Sequence, residues 1–465
     1  FYANAARNAI DGGYWLIPHL AGFDTIHASP FLEKPPLAIW LEALSIGVFG
    51  PTEFAVRAPS AAAAVATTVL VFLLGREVRG RAAGLAAAAA FLSTPAVLVG
   101  TNAARFGATD TLHTFFGSLL VALVWLHATD RYDVHPALVG GVAAALLLTK
   151  GFAAGVFFLA LVPLLVLHRG RFPRRFVGVA AAVTTVAVGW WVVAVYAIAG
   201  DYFVEEIFVE PVWHRIVGTD AAPADRRTLV PIFEYPYLMR LQSAFRPWWF
   251  LFLAGGVVTA VTGHRSSTES GGMDPRFLLW WTAAVLGPFL FFGTKLWYIV
   301  PTFVPAALTV GWLVATALDR TTGVGSTGER DGRTAAAVGL LVGTVLAAVA
   351  GPDGLLYELS GGSGVTVTPT IPPDWSVLVA VGALCVGARL VTVDGIGREL
   401  SLPGGSSLDV DAVVHTLTAG LVLALVVGVL VGAPSVYAAG HADESTDTEF
   451  HRLGETTAAV VPADE

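Results

Sequence analysis

The stretch Phe31-Leu32-Glu33-Lys34-Pro35-Pro36-Leu37-Ala38-Ile39-Trp40 sets a charged pair and two prolines directly before an apolar run. Two consecutive prolines remove two amide donors and push the preceding backbone out of the helical region. Glu33 and Lys34 are therefore expected on a rigid, extended turn, with a helix starting only after Pro36. Such a turn could be a solvated lead-in to a helix or a clamp for an anionic headgroup, and its surroundings must decide between them.

Those surroundings are apolar. Of 465 residues, 55% are hydrophobic and only 13% charged, with a mean hydropathy of +0.69, against roughly 25% charged in a soluble domain. Runs able to cross a bilayer are centred near Val65, Ala90, Leu120, Ala144, Leu159, Val186, Leu253, Ala284, Ala307, Gly343, Val379 and Leu423. The sequence thus predicts an all-α fold, a polytopic transmembrane helix bundle of about 12 spans. Many spans are rich in Ala and Gly, which suits close helix packing in lipid. The lone Cys385 falls inside one of these runs, so an intrachain disulfide is impossible and the redox compartment is not indicated.

Arginine clusters orient the bundle. Arg76, Arg79 and Arg81 lie on one connection and Arg169, Arg171, Arg174 and Arg175 on another, and a positive-inside bias makes both cytoplasmic. Counting spans alternately places 1–57, 101–110, 149–151, 200–246, 294–297, 351–374 and the C-terminal tail on the outside. All three lysines of the chain, Lys34, Lys150 and Lys295, fall in that outward set. Charge bias alone would favour the inside, so a shared external site is the better account of them. Two outward segments, 1–57 and 200–246, exceed the length of simple connections. Both are rich in Trp, Tyr, Phe and Pro, so interface helices are expected in these first and fourth external loops.

The expected organisation is a core over 1–310 with external loops, a cytoplasmic linker over 311–333, further transmembrane helices over 334–432, and an acidic disordered tail over 433–465. Phe1 is not a Met, and the first residues read as the interior of an amphipathic segment, so a preceding span is expected outside this sequence.

Several polar residues sit where apolar runs meet the outside. Asp110 opens a run and follows Arg105; it could be a helix-terminal acid favoured by the macrodipole, or a functional carboxylate. Arg105 offers a fixed cation suited to phosphate. His113, one turn further on, reads equally as a polar core residue. Lys150 closes a run ahead of Gly151, where its ammonium could reach water from a buried stem, and Lys295 is placed similarly before Leu296-Trp297-Tyr298. Glu206, Glu210, His214 and Arg215 follow a near-helical spacing, with Pro211 expected to start a helix and not to lie within one. Glu33 with these donors is a weak metal pattern. No Walker-type loop, dinucleotide fingerprint or Cys pair is present, which argues against nucleotide chemistry and against nucleic acid as a partner. External cations without a nucleotide site call for a phosphate-bearing donor already in the membrane.

At these residues the chain resembles the GT-C superfamily of integral membrane glycosyltransferases, in the branch of protein O-mannosyltransferases and bacterial aminoarabinose transferases. The resemblance runs over about 1–305 and is carried by Glu33-Lys34-Pro35-Pro36-Leu37 to Trp40, Gly13-Tyr14-Trp15, Arg57-Ala58-Pro59-Ser60, Asp110, Leu148-Thr149-Lys150-Gly151, and Thr294-Lys295 to Pro301. It implies inverting transfer of a sugar from a polyprenyl- or dolichyl-phosphate donor to an acceptor protein, lipid or glycan on the extracytoplasmic face of the cell membrane. By that resemblance Asp110 and Glu33 are catalytic candidates, and Lys34, Arg105, Lys150, Glu210, Arg215 and Lys295 bind substrate. The acidic pair preceding the element that corresponds to Tyr2-Ala3 would lie upstream of Phe1. Pro211 and Val212 stand where the family carries a histidine, so no metal ligand is assigned; no cofactor is required, and a divalent metal remains compatible. A transporter or flippase for an anionic or lipid-linked substrate is the alternative, since charges within spans also mark substrate paths.

Overall fold

The computed structural model describes residues 2–20, 29–98, 104–213, 244–245, 248–266, 272–292, 296–322, 399–401 and 407–409. These fall into two compact units, Phe1–Arg330 and Asp331–Glu465. The second is described only at the short antiparallel pair β3 (Glu399–Ser401) and β4 (Ser407–Asp409). The span centres near Gly343, Val379 and Leu423 lie outside the described residues, as do the expected tail and most of the expected linker.

The first unit is a polytopic membrane bundle. Its elements run α1 (Tyr2–Gly12), the two-residue strands β1 (His19–Leu20) and β2 (Ser29–Pro30), α2 (Leu37–Phe49), α3 (Glu53–Leu92), α4 (Pro95–Leu98), α5 (Thr109–Ala128), α6 (Pro136–Lys150), α7 (Gly155–Leu167), α8 (Arg174–Ala199) and α9 (Asp201–Val204), which passes into a π-helix (Glu205–Trp213). After these come α10 (Trp249–Ser266), α11 (Pro275–Phe292), a 3-10 segment (Leu296–Thr302) and α12 (Phe303–Thr322). Every span centre read from Val65 to Ala307 falls in one of these helices. Five of the described helical stretches are long and apolar enough to cross a membrane, while α2 is too short.

Two differences from the sequence reading have physical causes. Pro211 lies inside the π-helix and does not open a helix of its own; a wider i→i+5 turn accommodates the missing amide donor and the ring better than an α-helical turn does. Helix α12 continues to Thr322 and so occupies the first part of the stretch assigned to a linker from 311. The small strand pairs were not anticipated, because two or three residues carry no period.

The bundle has two poles. Helix α3 is broken at Arg79 and Gly80, where Gly80 takes a φ of +80° that only glycine adopts without strain. There the chain folds back, so that Gly84 meets the Phe72 carbonyl and the backbone of Gly75. Helix α12 packs on this bend with Gly311 against Ala83 and Ala87, a contact between small residues of the kind that brings membrane helices close. The same end holds Arg131 on Glu77, Arg171 on Asp130, and the Met273 amide on the Glu77 carbonyl at 2.9 Å. This is the arginine pole. The opposite end, where α2 begins, α5 begins and α6 ends, is the lysine pole.

Candidate active site

At the lysine pole the Pro35–Pro36 step acts as expected: residues 31–36 are non-helical and α2 begins at Leu37 with Pro36 as its N-cap. The loop is held from both sides. Phe31 and Leu32 are buried, and the Phe31 amide donates to the Pro18 carbonyl at 2.7 Å. Trp40 donates from Nε1 to the Trp15 carbonyl at 2.6 Å, and Trp191 to the Leu16 carbonyl at 3.1 Å. Two indoles thus tie residues 15–16 to α2 and α8. The charged pair between these anchors stays at the surface: Lys34 Nζ lies 2.5 Å from Glu33 Oε1, with the Lys34 side chain 15% and the Glu33 side chain 61% exposed.

Asp110 is placed by the start of α5. Its N-cap is Ala108, whose carbonyl accepts from the buried Ser60 hydroxyl at 2.9 Å. Asp110 therefore makes no capping bond from the N-cap position; it sits in the first turn, and its carboxylate receives the Lys150 ammonium in a buried ion pair. The expectation that Lys150 extends toward water is corrected, because its side chain is only 4% exposed. Once the stem is enclosed, the ammonium exchanges hydration for a carboxylate partner, and neither charge can be removed alone without stranding the other. The ammonium also lies 4.8 Å from the centre of the Tyr298 ring, a cation–π distance.

The surface pair and the buried pair adjoin. Lys34 is close enough to act electrostatically on Asp110. Pro35 lies 3.6 Å from where a Cβ on Gly151, the residue after Lys150, would stand. Glu33, Lys34, Asp110 and Lys150 thus come together from three elements. Arg105 stands on the 3-10 turn Ala104–Phe106 before α5, and Glu210 on the π-helix, both placed by their backbone. Arg215 and Lys295 lie outside the described residues, as does His214. Among the described residues no three His, Cys, Asp or Glu side chains gather as a metal site. Glu33, the carboxylate offered for a metal, faces Lys34 instead.

Tyr2 and Glu42 were not singled out by sequence reasoning. The Tyr2 phenol reaches the Thr109 side chain and feels Asp110, Glu33 and Glu42, and burial holds its pKa well above the ordinary tyrosine range. Its ring packs edge-on against Phe31 at 5.9 Å. Glu42 is 1% exposed within α2, and burial pushes its carboxyl up to about 9. The available signal was a single acid in the middle of an apolar helix, which cannot stay charged there without a partner.

Residues 33–203 match the family model for dolichyl-phosphate-mannose-protein mannosyltransferase. Among curated proteins, the undecaprenyl phosphate-alpha-4-amino-4-deoxy-L-arabinose arabinosyl transferase of Shewanella sediminis is 27% identical over 338 residues, 68% of this chain and 55% of that protein. A namesake from Pseudomonas fluorescens is 27% identical over 459 residues, covering 96% and 73%. The crystal structure of ArnT from Cupriavidus metallidurans bound to undecaprenyl phosphate superposes with a TM-score of 0.53 at 18% identity, over 84% of this chain and 71% of that one. Arabinosyltransferase EmbB from Mycobacterium smegmatis gives 0.53 at 17% identity, over 95% and 38%. The chain shares its fold with these two proteins, and its apolar helices make it a multi-pass membrane protein. By sequence it is similar to these aminoarabinose transferases, and it spans about half the length of the first of those curated relatives.

Proposed function

We propose that this protein transfers a sugar from a polyprenyl- or dolichyl-phosphate-linked donor to a protein, lipid or glycan acceptor, with inversion, at the extracytoplasmic face of the cell membrane. The observation that carries the reading is the meeting of Glu33, Lys34, Asp110 and Lys150 at one pole of a membrane bundle. A partly exposed ammonium beside a buried, internally compensated ion pair suits a phosphate that changes charge during reaction. Lys34 can stabilise the departing lipid phosphate, since it is partly exposed and sits on a loop pinned at both ends. Inverting transfer also needs a carboxylate to take the acceptor's proton, and Glu33 presents one at the surface. Asp110 and Lys150 act differently from exposed groups: enclosed together, they set the local field and fix the junction of α5 and α6. Arg105, Glu210, Arg215 and Lys295 are proposed to complete donor binding, and no step requires a metal. The clustering of motif charges at a pole, and not along mid-span positions, supports surface chemistry over transport.

The test is a deletion strain complemented with the full-length gene or its Lys34→Ala variant, followed by mass spectrometry of surface glycans and polyprenyl-linked sugars. Wild type is expected to restore a sugar-bearing product, while Lys34→Ala accumulates unconsumed donor at equal protein levels. Identical masses in the deletion, the wild type and the variant would refute the reading.

A further inference from the structure

The loop ahead of the charged turn holds a second polar pair. His19 Nδ1 lies 2.7 Å from the Ile17 carbonyl oxygen. A carbonyl only accepts, so Nδ1 carries the hydrogen and Nε2 of the neutral ring is left as an acceptor. Among the described residues that nitrogen has no hydrogen-bond partner. The Tyr14 ring lies against the imidazole, with 4.1 Å between centres and 31° between planes, and Tyr14 is 40% exposed.

The local sequence builds this pair. Gly12 leaves the space that the Tyr14 ring fills, since a Cβ there would stand 2.3 Å from the ring, and Gly13 turns the chain with a φ of +71°. The Asn8 side-chain amide donates to the His19 carbonyl at 2.8 Å. The bond to Ile17 uses one ring nitrogen, and an asparagine could make it. Neither that bond nor the contact with Tyr14 accounts for Nε2.

The pair adjoins the charged turn. His19 stands opposite Pro30 in the β1–β2 pair. On one side of it Ile17 shares a buried cluster with Leu32 and Leu148, and on the other Leu20 packs on the cluster that contains Phe31. The residues flanking His19 therefore rest on those that lead into Glu33 and Lys34 and into Lys150.

We propose that His19 and Tyr14 form a subsite for sugar hydroxyls, in which Nε2 accepts from a ring hydroxyl and the Tyr14 phenol beside it donates or accepts. The subsite binds and orients; no bond is made or broken in it. The inference rests on the reading of this pole as a glycosyl-transfer site and adds a group that recognises sugar where Lys34 recognises phosphate. The hydroxyl belongs to the transferred sugar or to an acceptor glycan, and the experiment separates the two.

The probes are undecaprenyl phosphate and the polyprenyl-linked sugars extracted from the deletion strain, each bound to the full-length protein and read by native mass spectrometry. His19→Asn keeps a donor for the Ile17 carbonyl and lacks Nε2, while His19→Gln places an amide group near the Nε2 position. His19→Asn is expected to hold undecaprenyl phosphate as wild type does and the sugar-bearing lipids about tenfold more weakly. His19→Gln should fall between the two, with all unfolding midpoints alike. Unchanged binding of both lipids with loss of product in the complemented strain also supports the subsite and assigns it to the acceptor. Unchanged binding and unchanged product in His19→Asn would overturn the proposal. Equal weakening of both lipids would overturn it too, because His19 would then serve only the shape of the loop. Should His19→Asn not fold, carbethoxylation of wild-type His19 decides: slowing by the extract and not by undecaprenyl phosphate supports the proposal, and equal rates overturn it. Wild type that binds neither lipid and forms no product would count against the functional reading itself and take the subsite with it.

Discussion

Single residues at the lysine pole make opposite demands on their surroundings. Asp110 and Lys150 are both nearly inaccessible, so removing one charge strands the other. Asp110→Asn is expected to cost about 3–5 kcal/mol of stability in detergent, whereas the paired change Asp110→Leu with Lys150→Met should recover most of it. Thermal unfolding of the three forms checks this, and a double variant no more stable than the single one would contradict it. Glu42 gives a pH-dependent counterpart. Its carboxyl has an ordinary value of 4.5 and is raised to about 9 by burial in the fold. Between those values the unfolded chain loses its proton while the folded chain keeps it, so stability falls as pH rises through that window and levels off above it. Glu42→Gln, neutral at every pH, should melt above wild type at pH 8 and converge with it near pH 4.5. At this scale the sequence was readable by type but not by partner. Asp110 and Lys150 stood out as charges at the ends of apolar runs, yet their pairing across 40 positions depends on how α5 and α6 meet. Tyr2 gave no signal, because a tyrosine near a helix start is ordinary until Thr109 and three acids surround it.

Helices were legible to the extent that their period and length were. The apolar runs from Val65 to Ala307 each became helix, and Pro35–Pro36 fixed the start of α2 because two missing donors leave no other choice. The π-helix through Pro211 was not legible, since proline reads as a helix start in any scheme built on i→i+4 bonds. Close approach of elements was hidden as well. Gly311 looks like one of many glycines, but a Cβ there would stand 2.3 Å from the Ala83 carbonyl, whereas one on Gly141 would meet nothing within 4 Å. Gly311→Val is therefore expected to destabilise the bundle by about 1–3 kcal/mol through overpacking. Gly141→Ala should be neutral or slightly stabilising, by up to about 1 kcal/mol. Unfolding midpoints for the two variants compare them, and similar losses would argue that α12 does not lie on α3 as described.

At the scale of the molecule, the placement of the lysines carries the most meaning. Arg131 and Arg171 pair with Glu77 and Asp130 at one pole, while Lys34 and Lys150 gather with acids at the other, where Arg7 and Arg57 also pair with Asp11 and Glu53. If the positive-inside bias holds, the arginine pole is cytoplasmic, and the lipid phosphate that the proposed function sets at Lys34 lies on the far side of the membrane. With Cys385 replaced by Ser, a cysteine at Thr52 should react with an impermeant maleimide on intact cells, and one at the exposed Tyr132 only after permeabilisation. Labelling in the reverse order would invert the orientation and remove the extracytoplasmic site. The central claim, that these side chains converge on a lipid-borne phosphate, is tested most directly by undecaprenyl phosphate binding to the full-length protein, followed by native mass spectrometry. Saturable binding that weakens at least about tenfold, or 1.4 kcal/mol, in Lys34→Ala but not in Arg7→Ala is the expected result. Equal retention by wild type and Lys34→Ala would contradict it.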